Sequence, residues 1–304
     1  MGGSVRGGVL VVLLWCWCLC SAPSVIAEDL LARQHVTGSF QTPTVAVYKK
    51  ATDEAWFISE NQATTLVVYS FANKTTRTVQ TSGASPFATH DAAGGIVGNK
   101  IYHFGGRFAS SAFVLDTDNL VWSTRANIPV SSTYGHAVLT IEDQNRVFLY
   151  GGFAFPNYFN SLYEYLPATN SWVDRGNYGV GVTFTYGIPM GQNLFLHGGE
   201  PNTNQLLRFN TASNSWSTVQ PTSTLAQRRF HTMVADQSSL SIWIVGGLVT
   251  GGTTIHHRVR FHTSSDLNPD VDNFSGSLPC TEYYLVHEPS AKTFCLGTAI
   301  LKAI

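Results

Sequence analysis

The sequence predicts an all-β fold assembled from copies of one unit of about 47 residues. Two features predict it. Four apolar runs, IYHF, VFLY, LFLH and IWIV, each end in a glycine pair, at Gly105-Gly106, Gly151-Gly152, Gly198-Gly199 and Gly246-Gly247, spaced 46, 47 and 48 residues apart. Downstream of the first three pairs a polar turn leads in phase to a tryptophan: DTDNLVW to Trp122, PATNSW to Trp172 and NTASNSW to Trp216. Asp, Asn, Ser and Thr suit such turns because their side chains bond nearby backbone.

Each unit reads as four short strands: one upstream of the glycine-terminated run, that run itself, one before the polar turn and one beginning at the tryptophan. A four-stranded antiparallel sheet with apolar residues on both faces must stack on copies of itself, and a ring of such sheets is a β-propeller. The glycines allow backbone angles that a Cβ forbids, and the tryptophans fill space between neighbouring blades. AWFISE, ending at Ser59-Glu60, reads as the same run one step earlier with its glycines lost, and EYYLVHE, ending at Glu288, as a later copy. The residue 15 positions before the first glycine is His90, His136 and His231 in three units, Thr183 in the fourth and Thr44 in the degenerate first. Equivalent histidines would either ring a central channel or each satisfy backbone in its own blade; the second reading is preferred.

These residues resemble the kelch repeat. The glycine pairs, the aromatic before the turn (Tyr165, Phe209) and Trp122, Trp172 and Trp216 carry the resemblance. The Trp-Asp ending of the rival WD repeat is absent. The resemblance implies a propeller of four-stranded antiparallel blades, and the residues after position 27, at about 47 per blade, give about six of them. It implies no activity, because propellers host unrelated functions.

The ends of the chain read differently from its middle. Arg6, an apolar run from Val9 to Cys20 and small residues up to Ala27 have the layout of a secretory signal peptide. The run is too short for a spanning helix, which needs about 20 residues. The expectation is a signal peptide over residues 1–27 and a single secreted, monomeric propeller over residues 28–304, with no membrane span after cleavage. The last unit would take strands near Asp272, over Thr281–His287 and over Lys292–Ile300. It would be closed by the N-terminal segment within Leu30–Phe40, since closure removes free sheet edges; a fragmentary chain is the alternative. Cys280 and Cys295, which outlast the signal peptide, are expected to form a disulfide in an oxidising compartment, worth about 3 kcal/mol. Asn73-Lys74-Thr75 and Asn273-Phe274-Ser275 are N-glycosylation sequons, at Asn73 and Asn273.

Composition narrows the function. Charged residues are 12% of the chain, with 18 basic side chains, Arg6 among them, against 19 acidic. No basic stripe exists, which argues against a nucleic-acid partner. No HExxH, GxSxG or P-loop motif is present, and no metal or cofactor is expected. His256-His257 with His262 lie close in sequence, but Arg258 and Arg260 beside them would repel a cation. The expected function is a binding module that recognises a protein or glycan partner through its loops. Phe153, Phe155, Tyr158 and Phe159, in the loop after Gly152, are the candidate anchors. The alternative is a carbohydrate-active enzyme, galactose-oxidase-like or sialate-processing, for which Glu200, Arg228 and Arg229, with His231, form the one suggestive grouping.

Overall fold

The structure, a computed structural model, describes residues 43–59, 63–87, 90–107, 109–130, 133–201, 203–236, 239–245, 247–249, 256–262, 266–274, 285–286 and 294–295. It is a β-propeller of five four-stranded antiparallel blades among these residues, not six. The first blade comprises Pro43–Lys49, Glu54–Ser59, Thr65–Ser70 and Thr75–Gln80. The second has Ala93–Val97, Lys100–Phe104, Ala112–Asp116 and Val121–Arg125, and Ser82–Gly83 adds a short parallel strand at its outer edge. The third has Ala137–Ile141, Arg146–Tyr150, Ser161–Leu166 and Ser171–Asn177, and the fourth Tyr186–Met190, Asn193–His197, Leu206–Asn210 and Ser215–Val219. The fifth has Thr232–Asp236, Ser241–Val245, His256–Arg260 and Asp270–Phe274. First strands of successive blades pack on one another around the axis. Among the described residues no helix is long and apolar enough to cross a membrane.

The blade count departs from the expected six for a local reason. Asp272, expected to start a sixth blade, pairs with Arg258 in the outer strand of the fifth. That unit lacks the tryptophan that marks the outer strand of the second, third and fourth blades, with Val271 in its place, so its end was not readable. Of the remaining expected strands, Leu285–Val286 pairs antiparallel with Phe294–Cys295 in a sheet of two short strands. Cys280, the segment Leu30–Phe40 and residues 1–27 lie outside the described residues, and so do the bridge, the closure and the signal peptide that rest on them.

The cores lie between blades rather than within them. Trp56, Ile58, Leu66 and Val68 of the first blade meet Ile96, Ile101, Leu115 and Trp122 of the second. Tyr102, Phe104 and Val114 of the second meet Val147, Leu149 and Tyr165 of the third. Leu139, Phe148 and Tyr150 then meet Leu194, Leu196 and Phe209, and Phe195 and Leu206 meet Met233, Ile242 and Ile244. Buried apolar area stabilises at roughly 25 cal/mol per Å², so each blade depends on its neighbour for its share. The outward face of the first blade is different: Ala55 and Phe57 are buried, but Tyr48, Val67, Tyr69 and Phe71 around them are half-exposed.

Tryptophans tie the seams. Trp122 Nε1 donates to Ala63 O (3.0 Å) and Thr81 Oγ1 (3.1 Å) of the first blade's loops. Trp172 Nε1 donates to Ala126 O (2.9 Å), just past the second blade. Trp216 stacks on Tyr178, with centroids 5.3 Å apart. The glycine pairs are explained by the same crossings. Gly151 and Gly198 have φ of +72° and +70°, and a Cβ on them would lie 2.7 Å from Val182 O and 2.4 Å from Arg228 O. Those two carbonyls accept the N–H of Gly152 (2.7 Å) and Gly199 (2.8 Å). The pair thus receives the linker that runs into the next blade. Gly246 lies outside the described residues.

Candidate functional site: the loop face and its mouth

Because strands alternate in direction, the loops after the glycine pairs and the linkers between blades emerge on one face. Five large apolar side chains are exposed among the described residues: Phe87, Val121, Phe155, Tyr158 and Val180. All but Val121 belong to these loops and linkers. Phe87 and Phe155 are 85% and 89% exposed, which no packing requirement explains.

The loop after Gly152 folds as a finger. Phe153–Ala154 pairs antiparallel with Asn157–Tyr158, which places Phe155-Pro156 at the tip. Phe153 and Tyr158 pack ring on ring across the base at 4.6 Å. Phe155 leans edge-on toward Phe153, with centroids 6.4 Å apart. Of the four expected anchors, Phe155 and Tyr158 project outward, while Phe153 and Phe159 are half-buried. Phe159 helps to seat the finger: its N–H donates to Gly152 O (2.9 Å) and its carbonyl accepts from Val182 N (2.8 Å). Asn160 Nδ2 donates to Gly179 O (2.9 Å) and so joins the finger to the linker carrying Val180.

Beside the finger the first strands enclose a cleft of about 210 Å³. Its mouth is set by the residues that enter each first strand. Asp91, Gly135, Phe184 and Phe230 occupy this place in successive blades, with φ of 56°, 68°, 54° and 56°. Gly135 N–H donates to Asp91 O (3.0 Å) and Phe184 N–H to Gly135 O (2.8 Å), a backbone chain linking three of these four positions. Aromatic rings follow it: Tyr134 lies 5.6 Å from Phe153 and 6.1 Å from Phe184, and Phe184 lies 4.7 Å from Phe230. Arg107 pairs with Asp91 (2.7 Å) and lies 5.4 Å over Tyr134. Arg229 pairs with Glu200 and lies 5.4 Å over Phe230.

The grouping of Glu200, Arg228 and Arg229 therefore divides. Glu200 is anchored by a backbone bridge to Thr183, and its carboxylate holds Arg229 at the mouth. Arg228 turns inward and is fully buried, and burial lowers its pKa to about 10. His231 beneath it is buried too. Burial first, and the charge of Arg228 second, hold its pKa down at about 3, and its Nε2 meets His197 Nδ1 at 3.4 Å.

The histidine repeat also resolves. The residue just before the first strand is Ala92, His136, Thr185 and His231 in successive blades. A fixed count of 15 reaches His136 and His231 but lands two residues early at His90 and Thr183. The cause is the hairpin joining the first two strands, which turns through two residues in the second and fourth blades and four in the third and fifth. His136 is satisfied locally, with Nδ1 at 2.8 Å from Gly151 O and Nε2 at 2.8 Å from Thr133 Oγ1. Thr185 Oγ1 makes the comparable bond to His197 O (2.9 Å). His90 is exposed and lies two residues outside this position.

Among the described residues no group of three or more His, Cys, Asp or Glu is placed to hold a metal ion. His262 is exposed and paired with Asp270 (3.0 Å). His256 and His257 lie in the fifth blade's third strand, their side chains outside the described set. Asn73 is exposed in the turn between Thr65–Ser70 and Thr75–Gln80, its N–H bonded to Ser70 Oγ (3.3 Å). Asn273 lies in the outer strand of the fifth blade.

Residue patterns had not pointed to Asp91, Arg107, Tyr134, Val180, Phe184 or Phe230. Their shared signal is position: each lies in a linker entering a blade or in a loop leaving a glycine pair. Compared with known proteins, the chain matches no family model and no curated sequence. The fold class is a β-propeller with a loop-built face.

Proposed function

We propose that the protein is a secreted propeller of the kelch type that acts as a binding module, recognising a protein or glycan partner through its loop face. The observation that carries this reading is the concentration of exposed apolar side chains there: Phe87, Phe155, Tyr158 and Val180. Exposed apolar clusters on a soluble domain mark interaction surfaces, and a few aromatic anchors supply most of the affinity of an interface. The finger is convex and has no charged residue between Phe153 and Tyr163. A convex apolar tip suits insertion into a partner's pocket, whereas small ligands need a concavity.

The test is the double substitution Phe155→Ser, Tyr158→Ser. Both side chains lie in the finger rather than in a blade, so the variant should stay folded, its unfolding free energy falling only by the loss of the Tyr158–Phe153 ring contact, about 1 kcal/mol. Capture of a partner on protein and glycan arrays should fall at least tenfold, since each anchor contributes on the order of 1–2 kcal/mol. Unchanged capture by the folded variant would place recognition elsewhere.

Secretion belongs to the same proposal and rests on the signal-like segment, the two cysteines that outlast it and the exposed Asn73. Expressed from its full gene in a eukaryotic host, the protein should appear in the medium with Glu28 at its N-terminus. Its mass should fall on enzymatic deglycosylation, and Asn73→Gln should remove that change at the first sequon. Retention inside cells with residues 1–27 intact would refute export.

A further inference from the structure

We propose that the mouth of the central cleft is a binding site for a neutral sugar ring. This rests on the loop face being the recognition surface, but it uses residues other than those of the finger.

Three features of the mouth converge on that ligand. The first is shape. The cleft of about 210 Å³ is concave, and its walls carry small side chains such as Ala92, Gly94 and Gly187. Space is tight behind the glycines: a Cβ on Gly94 would lie 2.4 Å from Val45, and one on Gly187 2.7 Å from Leu139. Pockets for drug-sized molecules start at about 300 Å³, so this one suits something smaller, of the size of one ring.

The second is the aromatic rim. Phe184 and Phe230 are tilted 48° to each other at 4.7 Å, and Tyr134 continues the row. The negative face of an aromatic ring attracts positively polarised edges, and the C–H-lined face of a pyranose is such a surface.

The third is the pair of Arg–carboxylate couples flanking the rim. Arg107–Asp91 and Arg229–Glu200 each set a fixed donor fork beside an acceptor, and each arginine is further held over an aromatic ring. A carboxylate accepts and a guanidinium donates, so a couple of this kind matches a vicinal diol. One hydroxyl gives its proton to the carboxylate while its neighbour accepts from the guanidinium. The two charges of each couple cancel. An anionic or cationic ligand would have to break a couple in order to form its own, whereas a polyol bridges both members.

The experiment is saturation-transfer NMR on the full-length secreted protein with methyl glycosides of glucose, galactose, mannose and N-acetylglucosamine. N-acetylneuraminic acid and inorganic phosphate serve as anionic probes. At least one neutral glycoside should receive saturation, strongest at its ring protons, with millimolar affinity. Phe230→Ala and, separately, the isosteric Glu200→Gln should each weaken it by roughly fivefold or more. The finger variant should leave it unchanged. The inference is overturned if no neutral glycoside binds, if only the anions bind, or if binding survives both substitutions. In those cases, partner capture that is lost in the finger variant would leave the loop-face reading standing. Glycoside binding with capture unaffected by the finger variant would separate the two in the other direction. Glu200→Gln alters no packed volume, so the test holds even if Phe230→Ala does not fold.

Discussion

Titrated from pH 7 toward pH 4, the protein loses stability steeply before most of its carboxylates take up protons. Three buried histidines drive this. Burial pushes the pKa of His103 and His136 down to about 4, against hydrogen bonds that oppose the shift. Burial and then the charge of Arg228 take His231 to about 3. In the unfolded chain a histidine titrates near 6.5. Above that value both states hold it neutral and stability does not depend on it. Between pH 6.5 and about 4 the unfolded chain binds protons that the folded chain refuses, so stability falls as the pH falls. Each histidine contributes a slope of up to about 1.4 kcal/mol per pH unit. Three together consume a large part of a typical stability of about 5–15 kcal/mol. Urea unfolding midpoints measured at intervals from pH 7 to pH 4.5 check this, and His136→Gln should flatten the slope by about one proton. A flat profile over that window would mean that these rings are protonated in the fold or reached by solvent. Glu164 acts in a lower window. Burial alone would raise its pKa, but hydrogen bonds from Arg146 (2.6 Å) and Arg175 outweigh that and hold it below the usual range.

Trp122→Ala should be the most damaging single truncation at a seam, costing about 3–5 kcal/mol. Trp122 is among the largest fully buried side chains and lies between the first and second blades. Its removal opens a cavity and leaves Ala63 O without its 3.0 Å bond from the indole. Trp122→Phe should restore much of the packing but lose the indole's shared bond to Ala63 O and Thr81 Oγ1, about 1 kcal/mol, and leave some residual cavity. Val121→Ser, one residue earlier on an exposed position, should change stability by less than about 0.5 kcal/mol. Denaturant unfolding of the three variants orders them. A Trp122→Ala loss below 1 kcal/mol would mean that the first blade contributes little to the cooperative unit.

What could be read from the sequence was whatever repeats at short range. Glycine pairs, polar turns and tryptophans are each set by local backbone demands, so they mark the second, third and fourth blades plainly. The fifth blade lost its outer strand in the reading because Val271 stands where a tryptophan would have signalled it. The histidine register slipped because a constant count cannot follow hairpins whose turns differ by two residues. The mouth was invisible for a different reason. Tyr134, Phe184 and Phe230 enter the third, fourth and fifth blades, and nothing in the intervening residues says that their rings meet. Nor does spacing announce that Glu164 lies between Arg146 and Arg175, drawn from neighbouring strands of one sheet.

Placing the cores between blades has a consequence for descent by duplication. Copying one sheet copies two unlike half-surfaces, and each finds its complement on the opposite face of the neighbouring copy. Phe148 and Phe209, 6.4 Å apart, come from the third and fourth blades and must change in step, while residues on opposite faces of the same sheet are free to drift apart. What is inherited as a unit is the joint, shared by two successive segments. The joints have diverged accordingly: a tryptophan contributes to each of the first three, whereas Met190, Phe195, Met233 and Phe261 fill the fourth. Divergence of the repeat is best traced by comparing one joint with the next, with sequence windows that straddle two units.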